Sequence, residues 1–167
     1  MASYVVYAEP DLDVAVAATA IDAQPVQEVR ERFAALGLTG FVKTSGGKGL
    51  HVVAPLKPKA QWPEVKAAMK ALADGMSADS PGDYVSTVSK AKRKGKILID
   101  YLRNGRGATA VAPYSTRARP GAPVSMPLSF DELSPQILPN HFTVGNVPAR
   151  LAESDGDPWE DFTSAEV

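Results

Sequence analysis

The sequence of 167 residues contains no cysteine and only two histidines. No disulfide framework, thiolate nucleophile or cysteine-ligated zinc site can be built from it, and a histidine-rich metal centre is excluded too. Long apolar runs are also missing. The longest mostly apolar stretch near the start, Val14 to Ile21, is too short to span a bilayer, and no basic segment of the kind that opens a secretory signal precedes it. A reducing, cytoplasmic setting without a membrane partner is the expectation. Net charge is close to nil, at −1. What is present is ordinary for a folded chain: 44% hydrophobic and 22% charged residues, with length for one domain and a sizeable core.

The small net charge hides segregation. Residues 1–40 hold two basic and six acidic side chains, whereas residues 41–119 hold fifteen basic and five acidic ones, a net of +10. The last eighteen residues, 150–167, carry one arginine and six acids. A middle segment this basic suits a polyanionic partner such as a nucleic acid or a nucleotide, although a lysine-rich solvated face has the same composition.

Periodicity gives the elements. Tyr4 to Tyr7 reads as a short buried strand ending at Glu9-Pro10. Val26, Val29, Phe33 and Leu36 share one helical face, with Pro25 in the first turn and Gly37 as the stop. Gly40 to Lys43 and Leu50 to Val53 flank a glycine-rich turn and read as a hairpin. Trp62, Val65, Met69, Leu72 and Met76 repeat at helical spacing, with Pro63 just inside the start and a loop expected over 77–83. Lys96 to Leu102 (KILIDYL) fits a central strand buried on both faces, and Ala108 to Ala112 another strand. From Pro113 onward recurrent proline and glycine predict an irregular wrap with short strands. Residues 1–152 are expected to form the folded unit, and 153–167 an acidic, mobile tail. The fold class expected is α/β (α+β), a mixed central sheet with flanking helices.

Three pieces carry chemistry. Asp11-Leu12-Asp13 follows a strand; residues two apart on an extended chain project to one side and can share a hard cation such as Mg²⁺ or Mn²⁺, though such a pair also serves as a turn or a helix cap. Ser45-Gly46-Gly47-Lys48-Gly49-Leu50-His51 has three glycines in four positions, so its backbone can turn tightly and aim N–H groups at an anion. It is neither a Walker A loop nor a dinucleotide fingerprint, and a plain hairpin turn stays open as a reading. Asp100 interrupts an apolar strand, where an unpaired acid is costly to bury; it is either matched to a cation such as Arg103 or holds a metal. Arg103, Arg106, Arg117 and Arg119 follow it, with forked donors suited to phosphate. Three acids and a phosphate loop together make the set of a two-metal phosphoryl-transfer site.

FVKTSGGKGLHVVAPL (41–56), KAKRKGKILIDYLRNGRGATAVAPYSTRARPGAPVSMPL (90–128) and NVPARL to DPWEDF (146–162) resemble the primase-like polymerase domain of bacterial DNA ligase D, within the archaeo-eukaryotic primase superfamily. The likeness extends over about residues 5–162. It implies a primase-polymerase-like catalytic core. Asp11, Asp13 and Asp100 would be the catalytic acids and metal ligands for Mg²⁺ or Mn²⁺. Ser45, Gly46, Gly47, Lys48, Gly49 and His51 would lie on the nucleoside triphosphate, an NTP or dNTP, with Arg103 and Arg117 supplying further basic contacts. The implied reaction is nucleotidyl transfer onto DNA ends or a primer-template in non-homologous end joining, alongside Ku and a ligase. The implied alternative is a non-catalytic nucleotide- or DNA-binding remnant of a truncated or split gene. Family polymerase domains are longer, so the N-terminal half is expected to be missing, or supplied by another chain. Asp-Leu-Asp-Val stands where the family pattern continues with proline, and a helix starting at Pro25 stands where the family helix is uninterrupted.

Overall fold

The computed structural model describes residues 2–10, 23–57 and 60–165. Its frame is a six-stranded mixed sheet in the order β4-β5-β1-β3-β2-β6. The strands are β1 (Ala2–Pro10), β2 (Phe41–Thr44), β3 (Leu50–Leu56), β4 (Tyr84–Val85), β5 (Ile97–Asp100) and β6 (Pro127–Leu128). The β4/β5 pair is parallel and the other neighbours are antiparallel, which agrees with the α/β class expected. Helix α1 (Ala23–Ala35) precedes the β2/β3 hairpin, and α2 (Trp62–Asp79) follows it. No helix among the described residues is long and apolar enough to cross a membrane.

Helix periodicity and strand alternation meet in one core. Val26, Val29 and Phe33 of α1, together with Val65, Met69, Leu72 and Met76 of α2, pack on Val42, Leu50, Val52, Ala54 and Ile99 of the sheet. Both helices therefore cover one face. The opposite face of β2 and β3 carries Phe41, Lys43, His51 and Val53, because alternate residues of a strand point to opposite sides. Pro63 sits in the first turn of α2, and Glu64 Oε2 accepts the Gln61 N–H at 2.7 Å. Gly37 closes α1 with φ +74°.

Several elements differ from the sequence expectation. Leu36 lies beyond the end of α1 and is 56% exposed rather than part of its buried face. Helix α2 runs to Asp79, so the loop after it is shorter than 77–83. The KILIDYL run is extended only over Ile97–Asp100, one place in from the β4 edge, and then turns. Ala108 to Ala112 is not a strand: its carbonyls are taken by side chains, Thr109 O by Arg103 at 2.8 Å and Val111 O by Lys43 at 2.7 Å. The wrap after Pro113 holds β6, two isolated bridges, a 3₁₀ turn (Phe130–Glu132) and a short helix (Val147–Glu153). The segment expected as a mobile tail is tied to the sheet. Trp159 is buried against Phe41 and Val53, and its indole N–H donates to Val42 O at 3.0 Å.

Candidate nucleotide-binding cleft

The β2/β3 hairpin turns through Ser45 to Gly49, and Ser45 organises it. Its N–H donates to Gly49 O at 3.0 Å, while its Oγ accepts the N–H groups of Gly47 at 3.1 Å and Gly49 at 3.2 Å. Gly46 has φ +61°, a conformation that costs a residue with a Cβ. A Cβ there would also meet Arg117 Cγ at 2.9 Å. Arg117 crosses behind the turn and donates through Nη1 to Ser45 O at 3.2 Å.

Beside this turn lies a cleft of about 360 Å³. Ser45, Gly47, Lys48, His51, Arg103 and Arg117 all line it, so six of the residues named from sequence for nucleotide binding converge there, while Gly46 and Gly49 shape the turn. Arg119 and residues Thr109, Ala110 and Val111 complete the wall. Arg106 is not among the lining residues. The cleft has four cationic side chains and no acid on its described wall, so its electrostatics favour a polyanion.

One buried residue behind the cleft was missed as a site residue. Lys43, 2% exposed, donates to Val111 O at 2.7 Å and Ser125 Oγ at 2.8 Å, and its Nζ lies within hydrogen-bond distance of His51 Nδ1 at 3.0 Å. Burial, with Arg117 adding to it, pulls the Lys43 ammonium down to about 7. His51 is 1% exposed, and burial followed by the nearby charges of Lys43, Arg103 and Arg117 pushes it down to about 2. The imidazole is therefore neutral. Alternation along Phe41-Val42-Lys43-Thr44, which puts Lys43 on the face opposite Val42, was the signal available in the sequence for Lys43. Arg119 was named in sequence only among the arginines with forked donors suited to phosphate, and nothing local separated it from Arg106, which does not line the cleft.

The acids are placed only in part. Asp11 and Asp13 lie outside the described residues. Asp100 ends β5, is half-buried, and accepts the Leu102 N–H through Oδ1 at 2.8 Å. It does not sit inside a longer strand, as KILIDYL suggested. In register, Lys43 pairs with His51, His51 with Tyr7, and Tyr7 with Asp100. Directly paired residues share a face, so Asp100 is on the His51 side of the sheet, two strand spacings or roughly 10 Å away. The last β1 position, Pro10, pairs with Ile97. Among the described residues no group of three His, Cys, Asp or Glu is gathered that could hold a metal ion. Of the three acids, Asp100 is the one within the described residues, and it supplies a half-buried carboxylate, the oxygen donor that Mg²⁺ or Mn²⁺ takes.

Residues 9–159 match the family described as LigD, primase-polymerase domain. A multifunctional non-homologous end joining protein LigD from Pseudomonas aeruginosa is 44% identical over 128 residues, which is 76% of this chain and 15% of that protein. A multifunctional non-homologous end joining DNA repair protein LigD from Mycobacterium tuberculosis is 33% identical over 138 residues, 83% of this chain and 18% of that protein. Among solved structures, the polymerase domain from Mycobacterium tuberculosis ligase D in complex with DNA superposes with a TM-score of 0.83 at 29% identity. That superposition covers 97% of this chain and 55% of the other. The chain thus spans under a fifth of these curated relatives and just over half of the solved domain.

Proposed function

This chain belongs to the LigD primase-polymerase domain family, and from that premise we propose that its cleft binds the triphosphate of an NTP or dNTP for transfer to a DNA end. The observation that carries this reading is the convergence of Ser45, Gly47, Lys48, His51, Arg103 and Arg117 on one cleft whose described wall carries no acid. Ser45 holds the turn in shape. Lys48, exposed at its tip, and the three arginines meet phosphate oxygens as point charge and forked donors. His51, neutral and buried, adds an uncharged ring donor. Preorganised donors of this kind act where negative charge accumulates, and need no rearrangement when it does.

Asp100, with Asp11 and Asp13, is proposed to hold Mg²⁺ or Mn²⁺, whose contribution when bound is to neutralise charge and orient the reacting oxygens. DNA as partner is supported by the net +10 of residues 41–119 and by the DNA complex of the solved relative. A role in non-homologous end joining, with Ku and a ligase as companions, is proposed from the names of the relatives.

The test is extension of a primed DNA with Mn²⁺ and labelled ribonucleotides. Extension that disappears in Asp100→Ala supports transfer. Binding of nucleotide or DNA without extension leaves the non-catalytic reading, and absence of both removes the proposal.

A further inference from the structure

The hydrogen bonds around Lys43, when it is an ammonium, constrain where His51 carries its proton. Ser125 Oγ donates to Thr44 O at 2.8 Å, which uses its only hydrogen, so toward Lys43 it can only accept. Val111 O, a carbonyl, can only accept as well. Two Lys43 hydrogens are thereby committed. The third hydrogen of an ammonium meets His51 Nδ1 at 3.0 Å, and an ammonium has no lone pair with which to accept in return. While Lys43 is an ammonium, Nδ1 is then the acceptor and the neutral ring carries its hydrogen on Nε2.

We propose that Lys43 is a positioning residue of the cleft, whose buried ammonium selects the Nε2–H form of His51 and pins the Val111 wall, so that the ring meets a bound phosphate as a donor. This rests on the triphosphate reading of the same cleft. The opposite tautomer would turn a lone pair toward an anion, which repels where the first form attracts. The lysine reaches both parts at once. His51 is its neighbour across the hairpin, and Val111 is 68 residues further along the chain. Thr109, Ala110 and Val111 form one wall of the cleft. Lys43 itself is not among the lining residues and would act through His51 and this wall.

The experiment uses the whole chain labelled with ¹⁵N-histidine at pH 6, where long-range ¹H–¹⁵N spectra report which ring nitrogen is protonated. Only two histidines are present, so His141→Gln identifies the signals of His51. The expected result is the Nε2–H pattern in the unmodified protein and a mixed or Nδ1–H pattern in Lys43→Met. An Nδ1–H pattern in the unmodified protein overturns the proposal even if Lys43→Met does not fold. An unchanged His51 pattern in folded Lys43→Met overturns it too. Titration with ATP gives a second readout. Lys43→Met should weaken ATP binding about tenfold, the scale of one charge-assisted hydrogen bond. In a His51→Gln background, where an amide donor needs no tautomer selection, most of that loss should vanish. Equal losses in both backgrounds count against positioning through His51. If the unmodified protein binds no ATP, the function of the cleft is refuted, while the ring-proton measurement still decides what Lys43 does to His51.

Discussion

Gly46 and Arg117 are packed so closely that a Cβ on residue 46 would lie 2.9 Å from Arg117 Cγ. The same glycine has φ +61°. Gly46→Ala therefore combines a strained backbone with displacement of an arginine of the cleft. It should lower stability by about 1–2 kcal/mol and weaken ATP binding. Gly47→Ala is the contrast, since its nearest contact would be Ser45 Oγ at 3.2 Å and its φ is not in the positive region. Thermal unfolding and ATP titration of both variants check this. A Gly46→Ala protein as stable and as tight as Gly47→Ala would contradict the close approach.

Ser45→Ala removes the oxygen that accepts two N–H groups of the glycine turn. Each such bond contributes about 0.5–1.5 kcal/mol net, so the turn should loosen rather than the core unfold. Hydrogen exchange of the Gly47 and Gly49 amides should accelerate at least tenfold, with ATP affinity falling alongside. Unchanged exchange at both amides would show that the hydroxyl does not hold the turn.

Arg119 reaches the cleft wall from an exposed position. Arg119→Ala should leave the melting temperature within about 1 °C, as surface substitutions usually do, yet weaken ATP binding about tenfold or more, as expected for a charge-assisted contact. Lys48→Gln should behave likewise, and should weaken ATP more than a DNA duplex. Equal losses for both ligands would remove the assignment of Lys48 to the triphosphate.

How much of this could be read from the chain depends on how far apart in sequence the interacting residues lie. The α2 stripe from Val65 to Met76 was legible because one helix face is buried and the other solvated. The glycine turn was legible because its hydrogen bonds span only a few residues, Ser45 to Gly49. Lys43 was not read as a site residue. A lysine in a four-residue strand looks solvent-facing until residues 68 and 82 positions later are laid over it. Ala108 to Ala112 differs for a related reason: the β-branched Thr109 and Val111 favour extension, but nothing local decides whether a strand or two side chains will take the carbonyls. Asp100 stands out in the sequence as an acid in an apolar run, yet its register opposite Tyr7 depends on a pairing with β1 that no local pattern encodes.

Trp159 fastens the acidic C-terminal stretch to the sheet. It stacks on Phe162 at 5.0 Å, meets Phe41 edge-on at 5.7 Å, and caps Val42 O. Trp159→Ala should cost about 3–5 kcal/mol. Trp159→Phe should cost less, mainly through the lost indole bond. Urea unfolding monitored by far-UV circular dichroism is the check; a cost below about 1 kcal/mol for alanine would mean that the stretch contributes little to the folded state.

Protonation should make the Lys43–His51 pair visible in the pH dependence of stability. Both groups bind protons less readily when folded: Lys43 falls from its ordinary 10.5 to about 7, and His51 from 6.5 to about 2. Stability rises with pH wherever the unfolded chain binds more protons than the folded one. For His51 that window runs from about pH 2 to 6.5, and for Lys43 from about 7 to 10.5. The unmodified protein should therefore lose stability as pH falls below 6.5, because unfolding then lets His51 take up a proton. Carboxylates act in the same acid range, so the difference between unmodified protein and His51→Gln isolates the ring: the variant should show a shallower fall. Lys43→Met should in turn flatten the rise between pH 7 and 10.5. Urea midpoints across both windows test this, and parallel curves for variant and unmodified protein would mean that neither group is held in the buried setting described.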